Sequence, residues 1–118
     1  MIELILGYPA KELMPNRKNG KHWASTVKAK DNARDYAYYA TLAALRTNDV
    51  PMGDTLPLLI KFVQSDRRKR DLDNLLAASK ASVDGVAKAL KVDDRVFEPI
   101  TIMRGYDKDK SYTKWEIG

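Results

Sequence analysis

The chain has 118 residues, with 21 Lys and Arg against 16 Asp and Glu, one His and no Cys, and a net charge of +5. That length fits one domain over residues 1–118 with a core that needs no covalent staples. Without Cys, disulfides, zinc–thiolate sites and thiol nucleophiles are excluded, and the composition suits a reducing compartment. The opening MIELILGYP reads as a short strand stopped at Pro9, not as a signal peptide. No apolar run approaches the ~20 residues that span a bilayer. A cytoplasmic protein with no membrane association is expected. The positive balance favours an anionic partner, nucleic acid first, although a ribosome-associated or DNA-packaging protein would share it.

In chain order, Ile2, Leu4 and Leu6 form a first short strand. Residues 9–24, PAKELMPNRKNGKHWA, have no period, two Pro and a dense basic content, and read as a long functional loop. Ser25 or Thr26 can cap a helix running to about Thr47, with Ala33, Tyr36, Ala37, Ala40 and Ala44 recurring at three and four. After a turn-rich connection containing Pro51 and Gly53, Leu58 to Gln64 is a buried strand, followed by the charged loop SDRRKRD. A long helix is predicted from Leu72 to about Lys91, with the stripe Leu72, Leu75/Leu76, Ser79, Val83, Val86, Leu90. An acidic turn at 92–95 precedes two strands, Val96–Arg104 and Tyr112–Ile117, read as a hairpin around GYDKDKS. The expected fold is a single small α+β domain in the order β-α-β-α-β-β, a mixed sheet with two helices.

The chemistry concentrates in Asp66-Arg-Arg-Lys-Arg-Asp71-Leu-Asp73-Asn74, at the junction of a strand and a helix. Asp71 and Asp73 straddle the helix start. Asp73, Ala77, Lys80 and Asp84 share the helix face opposite the apolar stripe. The turn after this helix supplies Asp93 and Asp94, expected to come back toward Asp71 along the strand 96–104. Hard carboxylates without His or Cys suit Mg²⁺, with Mn²⁺ as a substitute, rather than zinc. Arg67, Arg68, Lys69 and Arg70 would supply phosphate contacts beside them. Plainer readings stand alongside: Asp71 as an N-cap, Asp93–Asp94 as a simple turn, and RRKR as a solvated run.

These residues resemble the RusA family of Holliday-junction resolvases. The matching pieces are MPN at Met14–Asn16, DRRKRDLDNL at Asp66–Leu75, KASVD at Lys80–Asp84 and VDDRVF at Val92–Phe97, spread over nearly the whole chain. The resemblance implies a homodimer that binds four-way junction DNA and makes paired, symmetric Mg²⁺-dependent nicks in recombination and repair, in a bacterial or phage-infected cell. It implies Asp71, Asp73 and Asp94 as metal-binding and catalytic carboxylates. The family lysine lies nearer the DLDN segment than Lys80 does. Here Ala77 holds that position, and LLAAS carries about three extra residues. Lys80, seven residues from Asp73 and one turn further along, is the candidate for contacting the scissile phosphate.

Asn16, Arg17, Lys18 and Lys21 in the first basic loop are candidate DNA contacts. Trp23 could stack on a base or anchor the loop to the core. His22 reads as a surface residue, and Tyr36, Tyr38 and Tyr39 as packing or a dimer surface. The alternatives to a nuclease are a non-catalytic branched-DNA-binding dimer and an RNA-directed nuclease or toxin.

Overall fold

A computed structural model describes residues 1–15 and 23–118. Strand β1 (Ile2–Leu6) leads through a 3-10 turn at Lys11–Leu13 to helix α1 (Trp23–Ala44). Strand β2 (Leu56–Gln64) is followed by helices α2 (Leu72–Ala78) and α3 (Lys80–Leu90). A 3-10 turn at Asp94–Val96 leads into strand β3 (Phe97–Tyr106), and β4 (Tyr112–Ile117) completes the fold. The α+β class and the mixed sheet stand as expected, with three α-helices in place of two.

The four strands lie in the order β1-β4-β2-β3. β4 is antiparallel to both β1 and β2, and β2 is parallel to β3. The expected hairpin of the last two strands is therefore not formed. Residues 107–111 instead carry the chain past the end of β2, two strand spacings or roughly 10 Å. Burial gives the physical reason. β4 points Thr113, Trp115 and Ile117 into the core, each at most 1% exposed, and a central position covers this face from both sides. β3 carries Glu98, Thr101 and Arg104, all exposed, and takes the edge.

The alternation of β1, β2 and β4 directs Ile2, Leu4, Leu6, Leu58, Ile60, Phe62, Trp115 and Ile117 to one face, where they meet Ala37, Leu75, Val83, Val86 and Leu90 of the helices. Polar groups inside this core are paired. Trp115 Nε1 donates to Thr113 Oγ1 at 2.8 Å, and the Thr113 hydroxyl donates to the Leu6 carbonyl at 3.3 Å.

The expected single helix over 72–91 is interrupted at Ser79. Its backbone (φ −95°, ψ 3°) leaves helical geometry, its N–H bonds Leu76 O at 3.0 Å and its hydroxyl bonds Leu75 O at 2.9 Å. A buried Ser with two backbone partners competes with the regular ladder. The break falls in the LLAAS stretch, so Lys80 opens a new helix and does not share one helix face with Asp73 as expected.

α1 and α3 pack so closely at Gly85 that a Cβ there would stand 2.2 Å from the Arg34 carbonyl oxygen and 3.1 Å from Tyr38 N. The neighbouring atoms are backbone and cannot swing aside. Lys88 covers the Tyr38 ring from α3 at 5.0 Å. Gly85→Ala should therefore destabilise the fold by about 2 kcal/mol, overpacking exceeding the ~1 kcal/mol gain in helix propensity. Thermal unfolding should show Tm lowered by roughly 10 °C; an unchanged or raised Tm would contradict this packing.

Candidate nucleic-acid interface and acidic cluster

The loop between β2 and α2 is built on Gln64. This side chain, 8% exposed, accepts from Tyr8 Oη at 3.2 Å and donates to the Asp66 carbonyl at 3.2 Å and to the Arg68 carbonyl. Asp66 then gathers the loop from within. Its carboxylate accepts from Arg68 N at 3.1 Å and from both terminal nitrogens of Arg70 at 2.8 and 3.2 Å. Arg104 on β3 donates to the Arg70 carbonyl at 3.1 and 3.2 Å. The Arg70 guanidinium, with the Arg68 N–H, holds the Asp66 carboxyl below the ordinary aspartate value, and Asp66 in turn raises Arg70. Burial raises the Tyr8 phenol.

The four basic residues of RRKR thus have different positions. Arg70 is committed to Asp66, and Arg67 lies over the Tyr106 ring at 4.2 Å. Arg68 and Lys69 are exposed and form no salt bridge among the described residues. The roles of Tyr8, Gln64, Asp66 and Arg104 are not legible in the sequence. A four-residue acid–base spacing outside a helix carries no periodic signal, and a Gln ending an apolar strand looks like an ordinary strand residue.

Asp71 holds the N-cap position of α2 in extended backbone (φ −72°, ψ 130°). Its carbonyl accepts from Leu75 N at 3.1 Å, but its carboxylate makes no capping bond. It borders a hollow of about 230 Å³ with Arg68, Lys69, Arg70, Asn74 and Met14. Asp73, in the first turn of α2, is also exposed, and neither acid is in a salt bridge among the described residues.

The second acid pair divides in function. Asp93 caps the short turn that follows it, accepting from Arg95 N at 2.9 Å and Arg95 Nε at 3.2 Å, and these contacts lower its pKa. Asp94 meets Lys80, which also bonds Asp84 at 2.7 Å. The Asp84 and Asp94 carboxylates hold the Lys80 ammonium above the ordinary lysine value.

Sheet topology determines which of these residues meet. β3 runs parallel to β2, so Phe97 lies opposite Leu56 while Tyr106 lies opposite Gln64. Asp94 precedes the first end and the Arg67–Asp71 loop follows the other. The expected return of Asp94 to Asp71 along β3 is not what the chain does. Lys80 with Asp94 and Asp84 forms one cluster; Asp71 with the basic loop forms another. Among the described residues, no three acidic or His side chains are grouped to share an ion. Asn16, Arg17, Lys18, Lys21 and His22 lie outside the described residues, and α1 begins at Trp23, earlier than the expected Ser25 or Thr26. Tyr36 and Tyr39 are exposed on α1. No described helix is long and apolar enough to cross a membrane.

No family model matches the chain. It is similar to an uncharacterized protein of Xylella fastidiosa, 40% identical over 98 residues that cover 82% of this chain and 63% of that protein. The chain thus spans less than two thirds of that relative's length.

The Asp66 anchor has a pH signature. A carboxyl whose native pKa is lowered adds stability that is fully present above its ordinary value of 3.8 and is lost as pH falls through the lower native value. Wild type should therefore exceed Asp66→Asn in denaturant stability near neutral pH, with the gap closing at pH values below 3.8. A gap that persists undiminished into strong acid would contradict the charge-based anchor.

Proposed function

We propose that the chain is a RusA-like, divalent-metal-dependent DNA endonuclease. As a homodimer it would bind four-way junctions and place paired, symmetric nicks in recombination and repair, in the cytoplasm of a bacterial or phage-infected cell. One observation carries this reading beyond the sequence resemblance: a braced basic loop delivers an uncapped Asp71 carboxylate into the same hollow as Arg68, Lys69 and Arg70. Isolated acids beside a basic loop would repel a polyanion, whereas acids that hold a cation are compatible with it.

Asp71 and Asp73 would hold Mg²⁺ or Mn²⁺. Two exposed carboxylates at the start of a helix suit an ion that takes one or two protein carboxylates and completes its shell with water and phosphate. When bound, the ion supplies an activated water and neutralises charge on the scissile phosphate. Arg68 and Lys69 extend from the loop to hold the DNA backbone, and Arg67 presents a guanidinium fixed on Tyr106. Arg70 braces the loop through Asp66. Lys80 would contact the scissile phosphate. Asp94, paired with Lys80, joins the carboxylate set only if that pair opens on substrate binding. The grouping of Asp94 with Lys80 rather than Asp71 favours one alternative, a branched-DNA-binding dimer without catalysis.

Asp73→Asn separates the two. For the nuclease, junction cleavage should fall roughly 100-fold or more while junction affinity stays equal or rises, since a negative charge facing phosphate is removed. Lys80→Ala should slow cleavage with the fold intact. Lost junction binding in Asp73→Asn would give that residue a structural role, and an unchanged rate in Lys80→Ala would remove the lysine from the mechanism.

A further inference from the structure

β3 forms one edge of the sheet, and among the described residues no strand pairs with its outer side. Natural sheets protect such edges by brevity, charge, proline or bulges. The opposite edge, β1, is only five residues long. β3 has ten, and its proline and register irregularity lie at one end, with Arg104, held to the Arg70 carbonyl, the one charged side chain beyond them. Pro99 and the register irregularity opposite Leu56–Leu58 fall within its first residues. From Ile100 to Tyr106 the ladder to β2 is regular. That stretch exposes three large apolar side chains, Ile100 at 44%, Met103 at 41% and Tyr106 at 48%. They are evenly spaced, and Met103 is their centre.

We propose that the outer edge of β3 is an interface between two copies of this chain, paired antiparallel about a two-fold axis at Met103. In such a pair, opposed residue numbers have a constant sum, and the pleat requires opposed side chains to share a face. Centring on Met103 sets Met103 against its own copy and Ile100 against Tyr106 at both ends. All three exposed apolar residues are then matched with one another. Thr101 meets Gly105 and Ile102 meets Arg104, so no like charges oppose. Centring one residue later, on Arg104, would set that guanidinium against itself, which is unfavourable. Centring on Thr101 would set Met103 against Pro99 and leave Tyr106 unmatched. Only the Met103 register satisfies the exposed side chains.

The result is a continuous sheet of twice four strands, with both helical layers on one side. The main-chain bonds of an added strand supply affinity, and the matched side chains supply register. The two Tyr106 residues, each under Arg67, would stand six residues apart along the strands, roughly 20 Å. The two basic loops would then be held at a fixed spacing about the two-fold. This pairing deepens the proposed function by locating its dimer, but it stands on β3 alone.

The chain has no Cys, so a single introduced thiol reports contact without background. Residues directly opposed in antiparallel strands have Cα atoms about 4.5–5.5 Å apart, within disulfide reach. In the full chain without DNA, wild type should sediment at twice the monomer mass. Met103→Cys should convert to a disulfide-linked dimer under mild oxidation, and Tyr39→Cys on exposed α1 should not. Met103→Arg should lose the dimer while retaining its circular dichroism. A wild-type monomer, or crosslinking through Tyr39→Cys but not Met103→Cys, would overturn the interface. Four-way-junction cleavage by the same wild type is scored separately, so loss of the β3 interface with cleavage retained is distinct from failure of the nuclease reading.

Discussion

The Gln64 amide joins two parts of the chain that have no local reason to meet, and the basic loop depends on that junction. It accepts from Tyr8, just after β1, and donates to the backbone of Asp66 and Arg68, just after β2. An amide this deeply buried must have its partners satisfied, because an unmade bond there costs about 1–3 kcal/mol. Satisfying them fixes the loop backbone. Asp66 can then close on Arg68 N and Arg70, and Arg104 can reach the Arg70 carbonyl from β3. A segment rich in like charge would otherwise favour extended, fluctuating chain. Here one internal acid and one buried amide hold it in shape, leaving Arg68 and Lys69 to face outward.

The parallel pairing of β2 and β3 is the second constraint. Parallel strands require a long crossover, here supplied by α2 and α3. The crossover starts beside the basic loop and ends at the Asp93–Asp94 turn, so the two acidic groups occupy its opposite ends. Ser79 divides it, letting α3 settle against α1 at Gly85 while α2 keeps its own direction. Lys80 opens α3 and meets Asp94 across the Asp84 face of that helix. Lys80 therefore lies between the two acidic groups along the chain and is bound to one of them. The same crossover leaves β3 at the edge of the sheet, where the proposed pairing of two copies would extend it.

The sequence made legible those features that arise from periodicity. The alternation of β1, β2 and β4 and the stripe Leu75, Val83, Val86, Leu90 all reach the core as read. What failed depended on partners distant in sequence. Nothing local in Val96–Tyr112 reveals that the 107–111 connection passes over the end of β2 to place β4 on its other side. The available signal was compositional, since Glu98, Thr101 and Arg104 make β3 too polar for an inner position. Ser79 within an apolar stripe was likewise a visible irregularity, but its consequence depends on a hydroxyl bonding Leu75 O. At Gly85 the close approach of the α1 backbone has no signal in the neighbouring residues, because Arg34 and Tyr38 are distant in sequence. At the candidate site, the motif residues were identifiable one by one, whereas the role of Asp66 required knowing where Arg70 turns.

On the proposed reading, the braced loop and its adjoining carboxylates act on branched DNA through a divalent ion. Cleavage of a synthetic four-way junction, compared with linear duplex of the same sequence in Mg²⁺ and in EDTA, tests it most directly. Paired, symmetric nicks in the junction alone, and only with Mg²⁺, are the expected result. Tight junction binding with no product in either Mg²⁺ or Mn²⁺, or equal cleavage of the linear duplex, would contradict it.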